Sequence, residues 1–164
     1  MSNLIEKLKL SQQDAIKFYP SCSQFEKKFL EQTFGSEIFN VNITDRIKSF
    51  NDAICELSCN DNDVLFYKQL LNQRDCPVHL LNYQGVIIIT KALNEGWTPN
   101  WNDTNERKWY PWFRILSSGL VFDGTYYAYG YTDTSVGSHL CFKNEELSTY
   151  AGKQFTEIYK NYLN

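Results

Sequence analysis

The residues best suited to chemistry lie between Trp97 and Tyr131. All four tryptophans are there (Trp97, Trp101, Trp109 and Trp112), with seven further aromatic rings set among Asn, Ser, Thr and Gly. Trp and Tyr give large contact area at low entropic cost, and Ser, Gly and Asn give adaptable hydrogen bonds, a mixture that binding surfaces favour. Flat rings can also stack on a nucleobase, while Arg107, Lys108 or Arg114 could neutralise a phosphate. Trp101, Trp109, Trp112 and Tyr127 are the expected anchor or stacking residues, with the three basic side chains contacting any negative group. The competing use of these rings is to fill a small sheet's core, since aromatics are common strand formers. Eleven rings are more than one small core layer hides, so some are expected to face a ligand or partner.

Other candidate groups are weaker. Cys55-x3-Cys59 followed by Cys76-x2-His79 offers three thiolates and an imidazole, the ligand types of a tetrahedral zinc site. The spacing lacks the C-x2-C pair of familiar zinc signatures, and on a helix Cys55 and Cys59 would share one packed face. No metal or other cofactor is therefore expected. Ser138 and His139 are adjacent, so on a strand they point to opposite faces and cannot act as nucleophile and base. His139 and Cys141 would share a face, but the sequence around the cysteine lacks protease-like motifs. Asp103, Glu106, Asp123 and Asp133 could pair as carboxylates, although sequence alone assigns no pairing. Gly137-Ser138 reads as a turn or a backbone anion site. No G-x-S-x-G, H-E-x-x-H, Walker loop or G-x-G-x-x-G occurs. No catalytic residue is assigned.

Composition narrows the classes further. With 164 residues, 43% hydrophobic and 21% charged, the chain has the makeup of one globular domain. A net charge of −3 and a pI near 5.4 argue against an extended nucleic-acid partner, which normally needs a basic face. Nothing at the N-terminus reads as a signal peptide, and Val86-Ile87-Ile88-Ile89 is too short to span a bilayer. Five cysteines, an odd number, then imply reduced thiols and a cytoplasmic protein.

These side chains must be positioned by an α+β fold with a helical part over about 1–96. Ser11 with Asp14, Ser23 with the helix to Thr33, and Ser49 with Asp52 read as helix starts. The second helix is expected to bury Phe25, Phe29 and Leu30 and to stop at Gly35. Val64 to Leu71 reads as a helix, and another, from Val78 to Asn94, should begin with Pro77 at its first position. An aromatic-rich strand and turn part follows over about 97–143. There Leu120-Val121-Phe122, the turn Asp123-Gly124 and a strand from Thr125 to Thr132 form a small antiparallel hairpin. His139 to Phe142 would add a third strand. Asn144 caps one C-terminal helix over about 144–163, with Leu147, Ala151, Phe155, Ile158 and Tyr162 on its buried stripe. No linker separates the parts, so a single domain is expected.

Several stretches are familiar as a set. They are Ile43-Thr44-Asp45-Arg46-Ile47-Lys48-Ser49-Phe50-Asn51-Asp52-Ala53, Ala92-Leu93-Asn94-Glu95-Gly96-Trp97-Thr98-Pro99-Asn100-Trp101, Tyr110-Pro111-Trp112-Phe113, and Gly137 to Lys143 continuing into Tyr150 to Phe155. The chain from about Leu10 onward resembles uncharacterised small proteins encoded by phages and prophages of Bacteroides-type bacteria, a family with no assigned activity. The resemblance implies a phage setting in the host cytoplasm: an accessory factor for host takeover or against defence, or a virion component. The function expected is therefore non-catalytic binding through the aromatic-rich surface, to a protein partner or a nucleotide-type ligand. A structural virion or assembly protein, which would self-associate, and an enzyme with a non-motif active site are the alternatives.

Overall fold

Helix caps written into the sequence account for most of the N-terminal half. The computed structural model describes residues 10–19, 22–39, 41–58, 60–130 and 139–163. Ser11 accepts the Asp14 N–H and opens α1, Gln12–Phe18. Ser23 and Glu26 form a reciprocal capping box at α2, Gln24–Phe34, which is followed by a 3₁₀ turn, Ser36–Phe39. Asn42 caps the short α3, Ile43–Arg46. Ser49 and Asp52 form a second capping box at α4, Phe50–Glu56, and Asp61 caps α5, Asn62–Leu71.

The first two helices and the 3₁₀ turn share a small cluster of Ala15, Leu30 and Phe39, with Tyr19 stacked on Phe39 at 4.3 Å. Leu30 is buried there as expected, but Phe25 and Phe29 are exposed. A cluster this small covers only one narrow stripe of α2, and these two rings lie off it.

The Ile-rich run is helical. It forms α6, Val78–Leu93, the central element, in which Val86, Ile88, Ile89, Thr90, Ala92 and Leu93 are all buried. A helix apolar around most of its circumference must be surrounded, and α4 and α5 do so from one side. Pro77 is the residue before the first turn rather than within it.

The C-terminal helix is two helices. Asn144 caps α7, Glu145–Gln154, which ends at Phe155 (φ −114°), and α8, Thr156–Leu163, starts anew. The break lets the chain turn so that α8 packs along α6 while α7 packs under the sheet. Leu147, Ala151, Phe155 and Tyr159 enter the main core.

The sheet is a two-stranded antiparallel hairpin, β1 Lys108–Leu116 and β2 Gly119–Ala128. Its turn is at Ser117-Ser118, between the paired Leu116 and Gly119, and not at Asp123-Gly124, which lies inside β2. Trp112 pairs with Gly124 and Phe113 with Phe122, so Asp123 is the extra residue of a bulge. The same glycine that suits a tight turn suits this bulge, since Gly124 has φ +123° and Gly119 φ +111°. His139 to Phe142 is not a third strand. It touches the sheet by one bridge, in which the Trp109 N–H donates to the Phe142 carbonyl at 3.0 Å and the Phe142 N–H donates to the Trp109 carbonyl at 2.6 Å. The architecture is thus α+β, with the hairpin lying on helices.

Gly152 of α7 sets how closely helix and hairpin approach. A Cβ built there would lie 2.4 Å from two Phe122 ring carbons and 2.9 Å from the Pro111 Cβ. We predict that Gly152→Ala destabilises the chain by about 1–3 kcal/mol, read by thermal or urea melting, because the ring and backbone must both shift. An unchanged melting curve would show that the contact is slack.

Candidate functional site

Pairing fixes which side chains share a face of the hairpin, because opposed residues point the same way and neighbours alternate. Trp109, Pro111, Phe113, Phe122 and Leu120 face the helices. There Phe113 sits 4.9 Å from the Tyr159 ring, and Phe122 and Pro111 press on Gly152. The opposite face carries Lys108 at one end, covered by the 100–106 loop, and then Trp112, Arg114, Leu116, Val121, Asp123 and Tyr126, all exposed. Trp112 is 46% exposed and Tyr126 56% exposed, their rings 5.0 Å apart. Leu116 and Val121 extend this surface toward the turn, also exposed.

The seven residues expected to form one site are therefore divided. Trp112 and Arg114 are on the outer face. Trp109 and Tyr127 lie on the other, 4.8 Å apart, with Trp109 half-buried against the core. Arg107 lies over the Tyr127 ring at 4.6 Å, and Tyr127 meets Tyr129 edge-on at 5.3 Å. The Arg107 guanidinium beside Tyr129, followed by the Tyr127 hydroxyl, holds the Tyr129 phenol below its usual range.

Two of the three expected anion contacts are engaged by other groups of the chain. Lys108 is 1% exposed, so it is not a ligand group. Its ammonium donates to the carbonyls of Asn100 (2.8 Å), Glu106 (3.0 Å) and Asp103 (3.1 Å), with the Trp101 ring 5.4 Å away. Alternation places Lys108 on the same face as Trp112, and the loop before it folds over that end of the face and supplies carbonyls in place of a phosphate. Trp101 is correspondingly half-buried as part of that loop. Arg114 is exposed, but its Nε and Nη2 both donate to Asp123 Oδ2, at 3.0 and 2.7 Å. Arg107 and Arg114 both stay exposed, Arg114 paired with Asp123 and Arg107 lying over Tyr127.

The residues missed by sequence reasoning are Leu116, Val121 and Tyr126. Placing the turn at Asp123-Gly124 put Val121 and Tyr126 on strands with the wrong partners. The signal for the true turn was present, since Ser117-Ser118-Gly119 is a polar pair plus glycine between Ile115-Leu116 and Leu120-Val121.

The catalytic and metal alternatives have their geometry too. Glu106 accepts the Asn100 N–H, Asp103 the Asn105 N–H and Asp123 the Arg114 guanidinium, so these three carboxylates serve separate bonds. Asp133 and the Gly137-Ser138 turn lie outside the described residues. So does Cys59, and among the described residues no three His, Cys, Asp or Glu side chains converge as metal ligands. His139 and Cys141 line one cavity of about 370 Å³ together with Trp97, Lys91 and Asp63. Burial pushes the Cys141 thiol up to about 11, which holds it protonated at neutral pH, the reverse of what a nucleophile needs. A groove of about 270 Å³ runs between β1 and α8, lined by Phe113, Ile115, Leu140, Tyr159 and Leu163. No described helix is long and apolar enough to cross a membrane.

No family profile, curated protein or solved structure matches this chain. Its site is read on its own chemistry.

Two outcomes follow. Lys108→Met leaves three loop carbonyls without a donor, so we predict a loss of about 2–3 kcal/mol and a red-shifted tryptophan emission as the Trp101 loop opens. Unchanged stability and emission would refute the loop-tying role. The raised Cys141 pKa favours the folded state while the thiol is protonated. Its contribution is full below the ordinary value of 9.0 and is lost as pH rises toward about 11. Chemical denaturation across that interval should therefore show a decline that Cys141→Ala flattens.

Proposed function

We propose that this chain is a non-catalytic binding protein whose contact surface is the outer face of the β1–β2 hairpin, and that its ligand is another protein. The observation that carries the reading is the Trp112–Tyr126 pair, half-exposed and in contact, continued by the exposed Leu116 and Val121 on the same face. Rigid aromatic anchors on such a patch are what protein interfaces concentrate their energy on. The nucleotide-type reading loses support at the same place. Lys108 is enclosed and Arg114 is paired with Asp123, so among the described residues neither is an unpaired cation beside Trp112 and Tyr126. In the phage setting that the resemblance implies, the partner would be a host or defence protein and the chain an accessory factor.

The test is affinity capture from the cell in which the chain is expressed, comparing the wild type with Trp112→Ala/Tyr126→Ala. We expect the double variant to retain its fold by circular dichroism and to lose the partner by at least about tenfold. Arg107→Gln should keep it. A nucleotide that raises the melting temperature, with the rise abolished by Arg107→Gln, would overturn the protein reading in favour of the nucleotide one.

A further inference from the structure

The outer face is polar in a particular way. Among the described residues its exposed charged groups are one cation and one anion, Arg114 and Asp123, side by side next to the Trp112–Tyr126 pair. Both donors from Arg114 go to Oδ2, so Nη1 of the arginine and Oδ1 of the aspartate take no bond from each other. A surface carrying adjacent opposite charges is its own electrostatic complement under a two-fold rotation, which lays each arginine over the other copy's aspartate.

Size bears on the same point. The exposed parts of Trp112, Tyr126, Leu116, Val121 and Arg114 amount to on the order of 500–600 Å² per copy, or about 1,100 Å² for two. That is just above the ~1,000 Å² a specific interface needs and well below an obligate one. It fits a weak, reversible dimer that a better-matched partner can displace.

We infer that the outer hairpin face pairs with the same face of a second copy through a two-fold contact, Arg114 of each meeting Asp123 of the other. The inference rests on the outer face being the contact surface, as proposed above. It adds a regulation: self-association covers the anchors until a partner competes for them.

Sedimentation equilibrium on the full chain from micromolar to sub-millimolar concentration reads this directly. The weight-average mass should climb from one copy toward two, and Trp112→Ala/Tyr126→Ala should stay at one. Arg114→Glu and Asp123→Arg should each weaken self-association by at least about tenfold, since each makes the face repel itself. An equimolar mixture of those two variants should associate again, because each then meets its complement. The mixing arm keeps every aromatic ring, so it decides the matter even if the double alanine variant unfolds. A wild type that stays monomeric throughout, a dimer that survives the loss of both rings, or a mixture that does not recover would each overturn the inference. None of these results touches the capture assay, whose failure would instead remove the partner reading.

Discussion

The structure turns on the side-chain amide of Asn94. It sits at the C-terminal end of α6, 4% exposed. From there Nδ2 donates to the Cys141 carbonyl at 2.8 Å, and Oδ1 accepts the Lys143 N–H at 3.0 Å. A buried amide with both ends satisfied is stabilising, and one left unpaired is costly, so the two bonds hold the 141–143 segment firmly to the central helix. The residue between them, Phe142, is fully buried and exchanges both backbone bonds with Trp109. Asn144 then caps α7. Four consecutive residues thus carry a helix tie, a core plug, a sheet bridge and a cap. A two-stranded hairpin is marginal by itself in water. This one is anchored because Phe142 joins it to α6 and Gly152 lets α7 close against it.

Anchoring from one side explains the hairpin's asymmetry. Trp109, Phe113 and Phe122 are consumed by packing, whereas Trp112 and Tyr126, one position away in the alternation, stay about half exposed. A sheet in a domain normally has its apolar face covered by a second layer. On the proposed reading that layer is another protein or another copy. The charge distribution runs the same way, because the cations nearest the rings are tied internally. Lys108 organises the loop that carries Trp101, and Arg114 is paired with Asp123.

Local physics made part of this legible in the sequence, and non-local physics hid the rest. The capping boxes at Ser23–Glu26 and Ser49–Asp52 satisfy backbone N–H groups within three residues, so their residue types suffice to find them. Taken alone, Gly85 to Thr90 suits a buried strand as well as a helix, and the helical continuation to Leu93 tells the two apart. The α+β class and an aromatic hairpin followed from the change of character at Trp97. The register did not, because a glycine preceded by aspartate serves a turn and a bulge equally well. Only the full set of pairings from Lys108–Ala128 to Leu116–Gly119 tells them apart. Lys108 could not be recognised as buried, since its partners are backbone carbonyls that no side-chain pattern announces. The split at Phe155 and the exposure of Phe25 depend on where other helices lie.

The edge and the face of β1 are treated differently, and the contrast bears on how a partner is recruited. Trp109 points its backbone groups at Phe142, so by alternation those of positions 111, 113 and 115 also point away from β2. Proline at 111 removes a donor from that outward row, and the bulge at Asp123 bends the ribbon beside it. Both features discourage a foreign strand from extending the ladder. On the outer face the rings are half-exposed and the exposed charges among the described residues, Arg114 and Asp123, pair with each other. Recognition by strand addition depends on backbone hydrogen bonds. Recognition by anchors depends on rings held rigid in advance, and Trp112 and Tyr126 are held against each other on a paired strand. The surface is therefore organised for contact through side chains rather than through the ladder.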